Sequence, residues 1–323
     1  MQNAASTPIL PARLKVTGRL GVACATTLVV LCIDILWLVL EGWSVGGRGV
    51  AVLALGVGAC LAPLSIRRYR RDQRIATATS FCALLLLFQA AAATLSYLVI
   101  STNAALVDVP LAGWDRALGF DWLALHAWLQ AHSVTQALLS VAYASGLLQL
   151  VFVVVYLGLT GRRARLEEFM LLFMAATLLT IVASGVFPAA GAWKFHAASV
   201  ATSVAASFEL STLSHFEPLR DGSLREIALD RMQGLISIPS LHSAMAVLLV
   251  YAVRATRIVA PVFIGLDLAM LASTPIDGGH YLVDVLAGIA LAVALIAFSR
   301  RQATRTGVAV RIAPIANLGG LPQ

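Results

Sequence analysis

Two histidine motifs lie at the starts of apolar segments, and their residue types could support chemistry on an anion. The first is PSLH, residues 239–242, and the second is GGHYLVD, residues 278–284. In the second motif His280 and Asp284 are four residues apart, so on a helix they would share one face. A carboxylate in that position can accept a hydrogen bond from one ring nitrogen and leave the other as a nucleophile or base. His280 and Asp284 are therefore predicted to be catalytic.

The PSLH motif supplies groups that could hold a negative charge. Pro239 is favoured in the first turn of a helix, because its missing N–H would have no partner there anyway. The free backbone N–H groups that follow carry the positive end of the helix dipole and attract an anion, and Ser240 adds a hydroxyl donor. Two helix starts of this kind, with His242 on one and His280 on the other, indicate a phosphate site if they face the same side.

The elements that must position these motifs are apolar helices. Of the 323 residues 59% are hydrophobic and only 12% are charged, and the mean hydropathy is +0.87. A soluble protein carries about 25% charged residues. The composition therefore excludes soluble, disordered, collagenous and disulfide-framework proteins, and it is typical of a polytopic membrane protein. The net charge of +7 comes from short basic clusters between apolar runs, which indicates membrane topology rather than a nucleic-acid partner.

Eight apolar runs could cross a membrane as helices. A transmembrane helix needs about 20 mostly apolar residues, because the hydrocarbon core is about 30 Å thick and a helix rises about 1.5 Å per residue. The runs lie near residues 21–41, 49–66, 79–100, 136–159, 168–187, 239–254, 258–274 and 280–299. They predict an all-α, polytopic helical bundle with about eight transmembrane helices.

The distribution of basic residues predicts the orientation of this bundle. With the N-terminus in the cytoplasm, 17 of the 23 Lys and Arg residues fall on the cytoplasmic side and six on the other. Cytoplasmic loops of membrane proteins carry such an excess of positive charge. Both termini are therefore predicted to be cytoplasmic, with two long loops, about 101–135 and 188–238, facing the periplasm, lumen or exterior. Both histidine motifs then begin at the outer face, as a common phosphate site requires.

The first outer loop contains the amphipathic stretch LAGWDRALGFDWLALHAWLQAH, which includes three tryptophans. Tryptophan is enriched at the headgroup level of a membrane, so the stretch predicts an interfacial helix. His126 and His132 lie in this stretch and are predicted to be surface residues.

Taken together, the two histidine motifs resemble those of a known family. The pairing of PSLH with STPIDGGHYLVD, about 30 residues later, resembles the type-2 phosphatidic acid phosphatase superfamily. It is most similar to the branch that contains the inositol phosphorylceramide synthases, which are inositolphosphotransferases. The segment GVFPAAGAW, residues 185–193, also resembles the proline-rich turn before the site in that branch. The similarity covers roughly 180–300 well and 105–125 more loosely, and it implies a six-helix phosphatase-like core.

The resemblance implies a phosphohistidine mechanism. By that similarity His280 attacks phosphorus, Asp284 orients its ring, and His242 protonates the departing oxygen. Ser240 and nearby backbone N–H groups would hold the phosphoryl oxygens, which fits a reaction that depends on positioning and charge stabilisation. No metal or other cofactor is expected.

The chain departs from the family pattern in its cations. The third motif of the superfamily usually carries Ser-Arg, separated from the histidine by five residues, and here the pair is Ser273 and Thr274. The first motif, a lysine followed by Arg-Pro, is absent in that form. Another cation must balance a buried phosphate. The candidates are Arg220, then Arg225, then Lys194.

These features predict three regions: N-terminal transmembrane helices over 1–100, a phosphatase- or phosphotransferase-like membrane domain over 101–299, and a cytoplasmic tail over 300–323. The leading hypothesis is an enzyme that acts on a membrane lipid phosphate at the outer face. Water would release the phosphoryl group in a phosphatase, whereas a polyol or sugar-alcohol acceptor would capture a headgroup in a transferase, and both outcomes stay open. A non-catalytic lipid or anion transporter is the remaining alternative, although the sequence lacks the inverted repeats that transporters often have.

Overall fold

The computed structural model describes residues 13–196 and 215–305 and is 78% helical. The helices are, in chain order, α1 (Arg13–Leu40), α2 (Gly47–Leu61), α3 (Arg67–Arg71), α4 (Gln73–Ile100), α5 (Asp108–Ala117), α6 (Trp122–Ala131), α7 (Ser133–Ala144), α8 (Gly146–Leu159), α9 (Arg163–Val186), α10 (Ala192–His196), α11 (Phe216–Arg220), α12 (Leu241–Val253), α13 (Val259–Asp277) and α14 (Leu282–Arg305). The predicted all-α bundle is confirmed. Most of the predicted tail, 300–323, lies outside the described residues.

Short elements lie in the connections between the helices. A 3₁₀ turn, Ala62–Ser65, follows α2. Two-residue strands, β1 (Ser44–Val45) and β2 (Glu226–Ile227), pair in parallel and join the loop after α1 to the segment before α12. This pairing fixes where the segment before α12 lies relative to the N-terminal helices.

Each of the eight predicted runs overlaps a helix, but the helices differ in how far they could span. Within the described residues, six stretches are long and apolar enough to cross a membrane: Gly18–Leu40, Gly47–Ser65, Gln73–Ile100, Arg163–Val186, Val259–Asp277 and Leu282–Thr304. The run predicted at 136–159 is broken into α7 and α8, which are bent by 44°. Helix α12 has 13 residues and is about 20 Å long, which is shorter than a full span. The chain is a multi-pass membrane protein.

Helix α12 packs against α8, α9, α13 and α14 at the centre of the bundle. Small residues on it, including Ser243 and Ala244, are buried and let the neighbouring backbones approach closely. The closest approach is to α14, where a β-carbon at Gly288 would collide with the carbonyl oxygen of Ser240. Glycine at 288 therefore brings the start of α14, and with it the second histidine motif, against the start of α12.

The residues predicted to form the first outer loop fold into α5 and α6, which pack over the connection between α13 and α14. Trp114 and Trp128 are exposed, as expected of interfacial tryptophans, but Trp122 is buried. The prediction that His126 is a surface residue is wrong, because its side chain is only 8% exposed and stacks on Trp122. One face of α6 is turned into the protein, and His126 lies on that face. His132 is exposed, as predicted.

Candidate active site

The start of α12 is tied directly to the second histidine motif. Ser240 is the N-cap residue of α12, and its Oγ accepts a hydrogen bond from the Ser243 N–H at 3.4 Å. The Ser240 N–H donates to the Asp284 carbonyl oxygen at 3.0 Å. The two motifs are therefore joined by backbone as well as side-chain contacts, and Ser240 is fully buried between them.

The HxxxD spacing predicts that His280 lies on the helix, and the structure corrects this, because His280 lies in a tight turn before α14. The turn contains Gly279, whose φ is +64°, a conformation that favours glycine. At Gly278 a β-carbon would be 2.7 Å from His280 Cδ2 and 2.9 Å from the hydroxyl of Tyr143. The glycine pair thus lets the imidazole fold back onto α14, where its Nδ1 lies 3.3 Å from Asp284 Oδ2.

Asp284 is fully buried and receives several hydrogen bonds on one oxygen. Its Oδ2 accepts from Ser237 Oγ at 2.5 Å and from the Tyr281 N–H at 3.1 Å, in addition to the His280 contact. Because a carboxylate only accepts, the neutral His280 ring carries its proton on Nδ1 and leaves the lone pair on Nε2. That Nε2 lies 3.4 Å from Ser240 Oγ. The arrangement can present Nε2 as a nucleophile.

His242 is held by a tyrosine from α7. The Tyr143 hydroxyl lies 3.2 Å from His242 Nδ1, and the two rings stack with centroids 4.3 Å apart. Tyr143 also borders Gly278, the residue against which the His280 ring packs. Tyr143 therefore links the His242 ring to the glycine that borders the His280 ring, which suits two residues that act on one phosphorus.

The start of α14 already holds a carboxylate of the protein itself. Asp115, from α5, accepts from the Leu282 N–H at 2.9 Å and from the Val283 N–H at 3.0 Å. The pKa of Asp115 is raised, because the effect of burial exceeds the lowering by these two backbone hydrogen bonds. The expectation that this helix start binds a substrate anion is therefore wrong for these two N–H groups. The same expectation for the start of α12 stays a prediction.

A cavity of about 30 Å³ lies beside the His280 turn. Its wall includes Ser237, Gly191, Gly278 and Gly279, so peptide groups are exposed to it without side chains in the way. Phe216, from α11, forms another part of the wall.

Two of the predicted cations lie against Phe216, which lines this cavity. Arg220 lies over the Phe216 ring at 5.5 Å, and its Nη2 donates to the Ala104 carbonyl oxygen at 2.9 Å. Its Nη1 is buried without a hydrogen-bond partner in the part of the chain that the structure describes. The pKa of Arg220 is lowered, because the effect of burial exceeds the opposite effect of the nearby Asp108 carboxylate. Lys194 lies 5.5 Å from the same ring and pairs with Glu217.

The other two predicted substrate-binding residues make their contacts elsewhere. Arg225 pairs with Glu41 at 3.1 Å and lies 5.1 Å from the centroid of the Trp43 ring, on the side where β1 and β2 meet. The Ser273 hydroxyl donates to the Met270 carbonyl oxygen at 2.9 Å within α13 and is fully buried.

The sequence of this chain matches the sequence model of one protein family. That model describes the PAP2 superfamily and matches residues 109–298, which is more than half of the chain and includes both histidine motifs. No curated protein and no solved structure gives a significant match. The chain is a multi-pass helical bundle that carries these two motifs and matches the family over more than half of its length. It therefore belongs to the PAP2 superfamily of phosphoesterases and phosphotransferases.

Proposed function

We propose that the protein is an integral-membrane lipid-phosphate phosphatase or phosphotransferase that works through a phosphohistidine on His280. The observation that carries this proposal is the hydrogen-bonded chain from Ser237 through Asp284 to His280. It leaves the His280 Nε2 beside Ser240, at the capped start of α12. A nucleophile, an orienting carboxylate and a helix start that attracts anions are thus combined at one point.

The first step forms a bond between His280 Nε2 and phosphorus and breaks the bond to the leaving oxygen. His242 donates its proton to that oxygen. The Ser240 hydroxyl and the N–H groups at the start of α12 stabilise the charge on the phosphoryl oxygens, and Asp284 stabilises the positive charge that forms on the ring. In the second step water or an acceptor hydroxyl attacks phosphorus, His242 takes its proton, and the P–N bond breaks.

The membrane setting supports a lipid substrate and an outer location of the active site. The excess of basic residues in the loops on the side of the termini supports cytoplasmic termini and an active site on the opposite face. Exposed Trp114 and Trp128 on the neighbouring outer helices suit the headgroup level. A phosphate presented there would reach the His280 turn while the acyl or prenyl chain stays in the bilayer.

A second cavity supports the transferase alternative. It has a volume of about 310 Å³ and is lined mainly by polar residues, among them Tyr97, His215, Arg48 and Asp230. This is at the lower end of the range for ligand pockets, about 300–1,000 Å³. His215 lines this cavity and the next residue, Phe216, lines the cavity beside His280. An acceptor with several hydroxyl groups, such as a polyol, would fit the mixed donors and acceptors.

The test uses purified protein with a panel of lipid phosphates and phosphodiesters, with and without polyol acceptors. Mass spectrometry then measures hydrolysis and transfer products separately. Release of phosphate or exchange of a headgroup, lost in His280→Ala, would support the enzyme. An absence of both products with every donor would overturn it and favour a transporter.

Arg220→Gln should lower kcat/KM roughly 10- to 100-fold, because a hydrogen bond to a charged group contributes about 1.5–3 kcal/mol. The reason is that the buried Nη1 lacks a partner among the described residues and lies near the Phe216 wall of the cavity. Arg225→Gln is the matched control and should stay within about twofold, since exposed ion pairs such as that with Glu41 contribute little. Equal losses in the two variants would remove Arg220 from the phosphate site.

A further inference from the structure

Helix α5 turns two carboxylates toward the active-site turns. Asp108 and Asp115 are seven residues apart, which places them on one face two turns apart. Both are buried, and neither has an ion-pair partner within 4 Å in the described parts of the chain. Their partners are instead backbone N–H groups and one tyrosine hydroxyl. A buried carboxylate is costly unless it is well bonded, so these contacts need an explanation.

Asp115 fixes the start of α14. Its two oxygens accept the N–H groups of Leu282 and Val283, which directly follow the His280–Tyr281 pair. These are orphan donors that a helix cannot satisfy itself, and a negative charge there is also favoured by the helix dipole. The position of the turn that carries His280 is thus set from α5.

Asp108 fixes a second turn and connects it to the first. Its oxygens accept from the N–H groups of Ala190 and Gly191, each at 2.9 Å. Gly191 has a φ of +95°, and a β-carbon there would be 2.8 Å from the Gly279 carbonyl oxygen. The Ala192 N–H donates to that same oxygen at 2.8 Å. The turn held by Asp108 therefore packs directly on the turn that carries His280.

Tyr281 links both systems. Its hydroxyl donates to Asp108 Oδ1 at 2.9 Å, while its N–H donates to Asp284 Oδ2 at 3.1 Å. One residue next to His280 thus connects α5 to the carboxylate that orients the ring. Two indoles add to this frame, because Trp122 and Trp193 donate to the carbonyl oxygens of residues 275 and 276.

We propose that Asp108 and Asp115 are positioning residues that hold the His280 turn and the Gly191 turn in the geometry needed for phosphoryl transfer. The inference rests on the proposed function. In-line transfer depends on placement, and a displacement of about 1 Å can cost roughly 100-fold in rate. Neither carboxylate touches the reacting atoms, so each acts through the turn that it holds.

The first test is Asp115→Asn, measured as kcat and KM on a lipid phosphate that the wild-type protein turns over. An amide offers one acceptor oxygen, so at least one of the two N–H groups loses its partner. We expect kcat to fall about 100-fold and KM to change less than about threefold. Inhibition by orthovanadate, a transition-state analogue, should weaken by a similar factor, whereas inhibition by inorganic phosphate should change little.

The matched control is Asp121→Asn. Asp121 caps α6 by accepting from the Ala124 N–H at 3.0 Å, and it is exposed. The Asp121→Asn substitution therefore removes a similar carboxylate cap from a neighbouring helix without touching the His280 turn. A merely structural role for Asp115 would make the two variants lose activity in proportion to their folded fractions, with kcat per folded molecule unchanged. That result would overturn the proposal.

A milder variant covers the case in which Asp115→Asn does not fold. Tyr281→Phe removes only the hydroxyl that binds Asp108, and we expect it to lower kcat about tenfold. In the double variant with Asp108→Asn the losses should be smaller than the product of the single ones, because both remove the same contact. Multiplicative losses, or wild-type kcat in Tyr281→Phe, would count against the proposal.

A readout that does not need turnover separates this inference from the proposed function. The ¹⁵N chemical shifts of the His280 ring report its hydrogen bond to Asp284. They should change in Asp115→Asn and stay unchanged in Asp121→Asn. If the wild-type protein acted on no lipid phosphate, the proposed function would fail, whereas unchanged shifts in Asp115→Asn would show that Asp115 does not position the ring.

Discussion

His280→Ala should abolish turnover, with a loss of roughly 10⁴-fold or more, while the protein still folds and inserts into the membrane. Removing a nucleophile from a preorganised site costs this much because the remaining groups cannot form the covalent intermediate. The ring packs in a turn outside α14, so its loss leaves the helix contacts of Gly288 with Ser240 intact. Folding should therefore survive the substitution.

The measurement is trapping of a phosphoenzyme by acid-free quenching with a ³²P-labelled lipid phosphate. The wild-type protein should yield a label that acid removes and base does not, and His280→Ala should yield none. His132→Ala is the control, because His132 is exposed and stacks on Trp128 at the end of α6. Full turnover in His280→Ala on every substrate would exclude the phosphohistidine.

His242→Ala should behave differently from His280→Ala, and the contrast distinguishes a general acid from a nucleophile. A general acid contributes about 10²–10⁴-fold. Its loss should matter for an alkoxide leaving group and much less for p-nitrophenolate, which needs no proton.

The sequence alone predicts the helices of this protein well, because burial in a bilayer requires long apolar runs. Each predicted run falls on a helix of the structure. The break between α7 and α8 was missed, since Ser145 and Gly146 do not interrupt the hydropathy. At Ser145 the hydroxyl donates to the Ala142 carbonyl oxygen at 2.6 Å, which is a known cause of bending in apolar helices.

The two histidine motifs could also be predicted, but not the groups that hold them. Tyr143, Ser237 and Asp115 reach their partners across 99, 47 and about 167 residues, and no local spacing indicates such contacts. The position of His280 before α14 had a signal in the Gly278–Gly279 pair, which marks a turn. The HxxxD spacing suggested a helix instead, and the ring reaches Asp284 from the turn equally well.

The sequence also cannot distinguish the partners of the two arginines that it predicts as phosphate ligands. Arg220 and Arg225 lie in one segment, LRDGSLRE, and the sequence gives no reason why they should face different partners. The structure separates them because β2 follows Arg225 and pairs with β1, which carries Arg225 toward Glu41. Arg220 ends α11 and stays beside Phe216. Tertiary pairing, not local pattern, makes the distinction.

Asp284→Asn should lower kcat roughly 10³- to 10⁴-fold, as loss of the orienting carboxylate does in a catalytic triad. The asparagine can keep one acceptor where Oδ2 now receives Ser237, Tyr281 and His280. Its NH₂ group would then occupy the place of Oδ1, which is buried without a hydrogen-bond partner among the described residues. The positive charge that forms on the ring would also lose its counter-charge.

Two matched variants make this result specific. Ser237→Ala removes one of the donors to Asp284 but keeps the charge, so we expect a loss of only about tenfold. Asp277→Asn removes a carboxylate near the same turn, where Ser140 donates to it at 2.5 Å, and should reduce kcat far less than Asp284→Asn. If Asp284→Asn and Asp277→Asn reduced kcat equally, a general loss of negative charge near the turn would account for the effect. The orienting role of Asp284 requires instead that its loss exceed both controls by at least about 100-fold while KM stays within a few-fold of wild type.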